Sequence, residues 1–298
     1  EVKFNLSESG DILSVQPHKT GLSERIIEIF MIEANEAAAE TLSSCSSVGI
    51  FRNHPEPEYK KVRQWAKSAN FLGLDIGALP KKASNKTFQR WFDIVEDHRL
   101  SYQLKSSLVR SMQKALYEGV KGSHFGLASS GYTHFTSPIR RYPDLYVHRL
   151  LKKHLFNNSE VVRLDRTEAA ARRSSSTERA ADDAERDVQH FKKLIFLSKT
   201  PEKEYSAFVS NAGEPAMVFL FDLLMQGILE LPPKFGDRTL KLGDEVKVIW
   251  LRNDMDRLDA YFSLLHAVDG SGSSTRIKRR KGYPRYRREK LFKTRKRR

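Results

Sequence analysis

Residues 124–151 read HFGLASSGYTHFTSPIRRYPDLYVHRLL, and this stretch decides how the chain is interpreted. Its first part mixes small and aromatic residues without a helical or strand period, which predicts an irregular loop. A helix is expected to begin near Pro143. One side of that helix carries Leu145, His148, Leu151 and Leu155. The adjacent residues Arg140 and Arg141 therefore place two permanent positive charges in a polar loop just ahead of a helix.

Such a loop has the chemistry to hold RNA. An arginine fork binds a phosphate through two parallel hydrogen bonds, and backbone N–H groups ahead of a helix add donors, as would Thr136 and Ser137. Unstacked bases gain roughly 1–3 kcal/mol each on aromatic faces. The candidate faces are His124, Phe125, Tyr132, His134 and Phe135. The residues also allow the alternative that these rings are core and that the arginines pair with carboxylates.

Composition limits the class of protein. A length of 298 residues suggests two domains of ordinary size, or one domain plus appendages, and 39% hydrophobic content is enough for a sizeable core. No apolar stretch approaches a membrane span, so we expect a soluble protein. The single cysteine, Cys45, excludes an intramolecular disulfide and indicates a cytoplasmic location. The chain opens on EVKFNLSESGDI, a strand and turn, and we expect it to be part of a longer protein.

The net charge of +15 is unevenly distributed. Residues 276–298 contain fourteen Lys and Arg against one Glu, which leaves the rest of the chain almost balanced. A dense cationic tail attracts polyanions through counterion release, and RNA, DNA or an acidic membrane surface would all satisfy it. Residues 269–275, DGSGSST, predict a flexible linker before this tail. The tail itself is expected to be disordered alone.

Periodicity predicts the remaining elements. Residues 1–16 indicate a strand, a turn and a second strand, and residues 23–42 a helix that Ser23 caps. A long helix is expected over 161–197. Its predicted apolar seam is Ala181, Ala184, Val188, Phe191 and Ile195. From Thr200 onwards five short strands separated by turn signals indicate a small all-β barrel.

The 124–151 stretch resembles the signature of the ribonuclease R/ribonuclease II catalytic domain, and we call residues 124–141 the signature loop. The likeness extends to IIEIFMIEANEAAAE near Ile26, to FRNHPEPE and to DAERDV. It implies an α+β fold in which residues 1–198 are the C-terminal part of the catalytic domain. Residues 199–268 would be an OB-fold RNA-binding domain, and residues 269–298 a linker and disordered basic tail more typical of ribonuclease R.

The resemblance implies a processive 3′→5′ exoribonuclease that hydrolyses RNA to nucleoside 5′-monophosphates in RNA turnover and quality control. Its partners would be RNA, the upstream part of the same enzyme and, through the tail, the ribosome or degradation machinery, but no membrane. A second hypothesis is a non-catalytic RNA-binding module that acts through the barrel and tail. A third is a scaffold whose tail contacts acidic partners. The loop around Arg140 favours the first hypothesis, because a protein that only binds RNA has no need of it.

Carried over residue by residue, the resemblance implies that Arg140 holds the scissile phosphate. Glu185, on the long helix beside the predicted seam, would lie by the RNA path, and Glu28 matches a further acidic position. Their alternatives are a surface pair with Arg186 or Gln189 and an ordinary helix charge. Arg141 and Arg149 would either brace the loop or contact neighbouring phosphates. The remaining expected RNA contacts are His124, Tyr132, Phe135, Thr136, Ser137, Arg141, Tyr142 and Arg149.

Hydrolysis in this family is implied to use Mg²⁺ held by aspartates with a D-x-D-D core, and hard Mg²⁺ prefers such oxygens. No D-x-D-D occurs in the chain. The resemblance places that cluster upstream, so no metal ligands are assigned here and the chain alone is expected to be inactive. Asp182 and Asp183, and the aspartates 254, 256 and 259, do not suggest a metal site. The scattered histidines and one cysteine give no zinc pattern.

Overall fold

The computed structural model describes residues 2–18, 20–45, 48–98, 100–156, 163–230 and 240–267. The predicted linker and basic tail lie outside these described residues. No helix in the described ranges has the length and apolar character needed to cross a membrane.

The described residues form six α-helices and nine strands. The helices are α1 (Leu22–Cys45), α2 (Tyr59–Phe71), α3 (Asn85–Ile94), α4 (Ser101–Ser111), α5 (Tyr142–Leu155) and α6 (Leu164–Lys199). The strands are β1 (Val2–Leu6), β2 (Ile12–Pro17), β3 (Phe51–Asn53), β4 (Leu116–Glu118), β5 (Glu204–Asn211), β6 (Met217–Leu220), β7 (Met225–Glu230), β8 (Glu245–Asp254) and β9 (Asp259–Ala267). A 3₁₀ turn covers Phe125–Leu127. The α+β class followed by a small barrel is therefore confirmed.

The chain divides into two compact units. One comprises the described residues from 18 to 189, and the other combines residues 2–17 with those from 190 to 267. The hairpin β1–β2 belongs to the second unit because Val15 is buried in the same apolar cluster as the barrel core. The predicted domain limits 1–198, 199–268 and 269–298 treat each domain as one continuous segment of the chain, and they stay a prediction.

The first helix is buried over only part of its length. It begins at Leu22, one residue before the predicted cap, and Glu24 accepts the N–H of Gly21 at 2.7 Å. Its second half packs into the core of the first unit. That core consists of Ala38, Ala39, Leu42, Ile50, Phe51, Tyr117, Val147, Leu151 and Ala171. Along the first half, by contrast, large apolar residues are exposed over a broad face of the helix, among them Leu22 at 77% and Phe30 at 69%.

The long helix α6, Leu164–Lys199, agrees within a few residues with the helix predicted over 161–197 but buries a different set of residues. Ala181, Ala184 and Val188 are exposed, so the predicted apolar seam is wrong over this part of the helix. The helix is buried instead towards its two ends. The buried positions are Thr167, Ala171, Ser174, Ser175, Lys193, Leu194, Phe196 and Leu197. Three- and four-residue spacing marks a continuous face, but only tertiary neighbours decide whether that face is covered.

The five predicted strands of the second unit are confirmed. They close into a barrel in the order β5-β6-β7-β9-β8, with β7 parallel to β9 and the other pairs antiparallel. Alternate residues fill the interior, as the period of a strand requires. On β5 these are Tyr205, Ala207 and Val209, and the ring of Phe262 on β9 is fully buried among them. This closed five-stranded arrangement is an OB-fold.

Candidate nucleic-acid interface

The signature loop lies beside the two-stranded sheet β3–β4. The N–H of Arg52 on β3 donates to the carbonyl of Tyr132 at 2.7 Å, and the hydroxyl of Thr133 donates to the carbonyl of Ile50 at 2.6 Å. Residues 132–133 therefore run along β3, and Thr133 is fully buried there. This contact anchors the middle of the loop to the core of the unit.

Asn35 on α1 holds the next part of the loop. Its amide nitrogen donates to the Tyr132 hydroxyl at 2.8 Å, and its amide oxygen accepts the N–H of Phe135 at 2.9 Å. The side chain is buried, so both bonds are shielded from water. One helix residue thus fixes two loop positions that lie 97 and 100 residues away in the chain.

Three histidines pack around the loop and are held neutral. His54 Nε2 donates to the carbonyl of Gln113 at 2.6 Å while Nδ1 accepts the N–H of Gly126 at 2.8 Å, which defines its tautomer. Burial lowers the pKa of His54. Burial, reinforced by His54 and Arg52, lowers the pKa of His124 to about 4. Burial, reinforced by Arg141 and Arg52, lowers the pKa of His134 to about 3.

A charged pair lies next to these rings. Arg52 Nη1 is 2.6 Å from Glu178 Oε2, and its guanidinium carbon lies 4.5 Å from the centre of the Tyr117 ring. The Tyr117 hydroxyl is 2.7 Å from His134 Nδ1. Burial, and then the nearby Glu178 carboxylate, raises the pKa of Tyr117, so the phenol stays protonated. Together these groups form a polar network behind the loop.

Sequence reasoning did not single out Arg52, Tyr117 and Glu178. Arg52 lies in the FRNHPEPE stretch, and Glu178 precedes Glu185 by seven residues, or about two helical turns. Residues two turns apart lie on nearly the same helix face, so the helical period makes Glu178 as good a candidate as Glu185. The sequence cannot choose between the two glutamates, because the partner of Glu178 is 126 residues away.

The two adjacent arginines have different surroundings. Arg141 Nη2 donates to Asp144 Oδ1 at 2.8 Å, and Asp144 is fully buried. Arg140 is exposed, as is the neighbouring Ile139, and the described residues offer it no ion pair. The alternative of an arginine paired with a carboxylate thus holds for Arg141, while the guanidinium of Arg140 is free to meet an anion.

The other expected RNA contacts lie on and near the loop in different states of burial. Tyr132 is buried, and the Phe135 ring stacks on His148 with centres 4.2 Å apart. Tyr142 is exposed at the start of α5. Of the rest, Thr136, Ser137 and His124 are partly buried and Arg149 is exposed. Their assignment as RNA contacts stays a prediction.

The two predicted acidic residues do not join this cluster. Glu185 is exposed on α6 and accepts a hydrogen bond from Gln189 Nε2 at 3.1 Å, so its expected place at the edge of a buried seam is wrong. Arg186 pairs with Asp183 instead. Glu28 lies in the exposed first half of α1. Both residues have the environment of ordinary helix-surface charges.

No three His, Cys, Asp or Glu side chains within the described ranges are grouped so that they could hold a metal ion. The described residues by themselves therefore do not fit a Mg²⁺ centre. The aspartates at 254, 256 and 259 lie at the β8–β9 turn, where Asp254 Oδ1 accepts two backbone N–H groups of that turn.

The barrel carries a second group of rings that is separate from the apolar cluster in its interior. Phe208, Phe219 and Phe221 pack together, with Phe208 centred 5.4 Å from each of the other two. Lys247 on the adjacent strand donates to Ser206, and Asn211 caps the turn after β5. The sequence could not sort the barrel aromatics. In the structure Phe262 lies in the interior cluster of the barrel, whereas Phe208 and Phe219 are buried in a separate group and Phe221 is partly buried.

The fold and the site together indicate a nucleic-acid-binding protein with two parts. One is an α+β unit in which Arg140 is exposed at the end of the signature loop and has no ion pair among the described residues, and the other is an OB-fold barrel. The RNB domain model matches residues 1–157. Ribonuclease R of Thermotoga maritima is 37% identical over 217 residues, 71% of this chain and 30% of that protein. Ribonuclease R 1 of Lactococcus lactis is 32% identical over 241 residues, 80% of this chain and 30% of that protein.

Solved structures of Mycoplasma genitalium RNase R superpose on most of the chain. In the complex with ribose methylated single-stranded RNA the TM-score is 0.80 at 24% identity, and with double-stranded RNA it is 0.76 at 25% identity. The match covers 89% of this chain and 45% and 46% of those chains. The chain belongs to the RNB-domain family, among whose members it is similar to ribonuclease R. It spans about a third of the length of the curated relatives given above.

Proposed function

We propose that the chain is the phosphate-holding and RNA-binding portion of a processive 3′→5′ exoribonuclease that releases nucleoside 5′-monophosphates in cytoplasmic RNA turnover. One observation carries the proposal: Arg140 is exposed and has no ion partner among the described residues, whereas the neighbouring Arg141 is paired with the buried Asp144. A fixed positive charge of this kind stabilises negative charge that develops on a phosphodiester during cleavage. The family's RNA complexes support RNA as the ligand.

The proposal includes metal-dependent hydrolysis, although the described residues do not supply the metal ligands. When bound, Mg²⁺ would supply the activated water, and aspartates of an upstream segment would hold it. The exposed first half of α1 supports such a partner segment. A large patch of exposed apolar side chains normally marks a surface that other protein covers. The exposed positions are Leu22, Ile26, Ile27, Ile29, Phe30 and Met31.

RNA binding is tested by fluorescence anisotropy with a labelled single-stranded oligoribonucleotide and the full chain. We expect Arg140→Ala to weaken binding about tenfold, the effect of losing a hydrogen bond between charged groups. Arg63→Ala is the matched control, since Arg63 is exposed on α2 and its removal changes the net charge equally. Equal losses of affinity in the two variants would show that Arg140 contributes no more to RNA binding than another exposed positive charge.

Catalysis is tested separately with 5′-labelled RNA and Mg²⁺. The chain mixed with a polypeptide that supplies the aspartate segment should give products that shorten from the 3′ end, and Arg140→Ala should abolish them. Degradation by the chain alone would contradict the upstream metal site.

The second candidate is a non-catalytic RNA-binding module. The lack of a metal-holding group in the described ranges favours it, together with the OB-fold. Tight RNA binding without cleavage, even with the aspartate segment present, would establish this candidate in place of the first.

A further inference from the structure

The turn 137–141 depends on Ser137 for its shape. The Ser137 carbonyl accepts the backbone N–H groups of Arg140 at 3.3 Å and Arg141 at 3.0 Å. The Ser137 N–H in turn donates to Asp144 Oδ1 at 2.8 Å. Asp144 Oδ1 therefore fixes Ser137, and Ser137 in turn fixes the backbone of Arg140 and Arg141.

Asp144 reaches this position from the first turn of α5. Arg141 is the N-cap of the helix, and Asp144 follows three residues later. A side chain at that position can reach back to N–H groups ahead of the helix, and a carboxylate is favoured at a helix N-terminus. Here it accepts the N–H of Ser137 and the guanidinium of Arg141 through the same oxygen, Oδ1.

This carboxylate is not arranged for maximum stability. Asp144 is fully buried, yet Oδ2 has no hydrogen-bond partner, and neither has the buried Nε of Arg141. Buried polar groups are normally paired, and an unpaired one costs stability. A buried ion pair with unused donors and acceptors is therefore poorly explained by stability alone.

We infer that Asp144 is a positioning residue that, with Arg141, holds the turn so that the guanidinium of Arg140 meets an RNA phosphate. The inference rests on the proposed function, since it requires Arg140 to bind RNA. It gives the two arginines separate tasks: Arg141 braces the turn through Asp144, and Arg140 contacts the ligand.

The test uses the sign of the effect of Asp144→Asn on RNA affinity. Removing a negative charge near a bound polyanion raises affinity if charge alone matters. Loss of positioning lowers it, and we expect a decrease of roughly fivefold to tenfold, approaching that of Arg140→Ala. The full chain and the labelled oligoribonucleotide are used as above, and Asp165→Asn on the exposed start of α6 is the matched control.

The double variant Arg140→Ala with Asp144→Asn separates positioning from general structure. We expect it to bind no more weakly than Arg140→Ala alone, because Asp144 acts only through Arg140. A further decrease in the double variant, or unchanged or tighter binding by Asp144→Asn alone, would overturn the inference. No effect of Arg140→Ala would instead remove the proposed function.

Circular dichroism establishes that each variant is folded. If Asp144→Asn does not fold, Arg141→Lys replaces it, since lysine keeps the charge but loses the planar fork. We expect Arg141→Lys to weaken binding in the presence of Arg140 and to have no effect in its absence. Unchanged binding by Arg141→Lys would overturn the inference.

Discussion

The barrel and the signature loop are held together in different ways. In the barrel, neighbouring strands are joined by regular backbone pairing, and alternate side chains fill an apolar interior. The loop instead takes its shape from polar bonds to single residues on other elements. These residues are Asn35 on α1, Ile50 and Arg52 at β3, Asp144 and His148 on α5.

The difference has a consequence for substitutions. An apolar core distributes its stabilisation over many neighbours, so damage to it lowers the stability of the whole barrel. A loop held by individual polar bonds loses its shape locally when one of these bonds is removed. Such a loss displaces Arg140 without lowering the stability of the barrel. Four measurements test this contrast.

The largest expected effect is in the barrel core. Phe262→Ala removes a fully buried ring, and we expect it to lower the free energy of unfolding of the barrel by about 3–5 kcal/mol. Hydrogen exchange of barrel peptides in urea measures this and reports separately on residues 18–189. Phe71→Ala, at an exposed ring of α2, is the control. Equal destabilisation of both units would show that they do not unfold independently.

Acid should act on the loop before the barrel. The pKa of His134 is about 3 in the fold against an ordinary value of 6.5, so the unfolded state binds more protons below pH 6.5. The stability held by neutral His134 is complete above pH 6.5 and falls as the pH drops towards 3, by about 3 kcal/mol at pH 4. Hydrogen exchange of peptides covering 124–135 between pH 7 and pH 4 follows this loss.

Two histidine variants sharpen the acid experiment. His134→Gln should remove roughly half of the acid sensitivity of these peptides, because glutamine does not titrate whereas His124, whose pKa is also lowered, still does. His154→Gln, at an exposed position near the end of α5, should leave it unchanged. An identical acid response in the two variants would assign the sensitivity to other groups.

A smaller and local effect is expected at Asn35. Asn35→Leu leaves the Tyr132 hydroxyl and the Phe135 N–H without their partner, and we expect a loss of about 2 kcal/mol. Hydrogen exchange should rise in peptides covering 132–137 while barrel peptides are unaffected. Asn70→Leu, at an exposed position of α2, provides the comparison. Unchanged exchange in 132–137 would contradict the assignment of Asn35 as a clamp.

The smallest effects distinguish two glutamates on one helix. Glu178→Gln weakens the partly buried pair with Arg52, and we expect a loss of about 1 kcal/mol in unfolding free energy. Glu185→Gln changes an exposed side chain and should stay within about 0.5 kcal/mol of the parent. Thermal unfolding of the two variants in parallel gives the ranking. A larger loss of unfolding free energy for Glu185→Gln than for Glu178→Gln would contradict the assignment of Glu178 as the structurally important glutamate.

The parts of the fold that depend on neighbouring residues were predictable from the amino-acid sequence. The hairpin at the start, the span of the long helix, the five barrel strands and the family signature all follow from periodicity, turn residues and an unbroken motif. These features are local, because hydrogen bonds within helices and hairpins join residues that are close in the chain. Arg140 was also found in this way, as part of the motif.

Which of these elements are covered, and which polar groups are paired, depends on long-range packing. The tertiary structure separated Arg140 from Arg141, placed Glu178 in a network and left Glu185 on the surface, and buried one half of α1 but not the other. It also packed the hairpin β1–β2 on the barrel core. The physical reason is distance along the chain: the side-chain hydrogen bonds of Asn35 span 97 and 100 residues and that of Arg52 to Glu178 spans 126, and no local pattern records them.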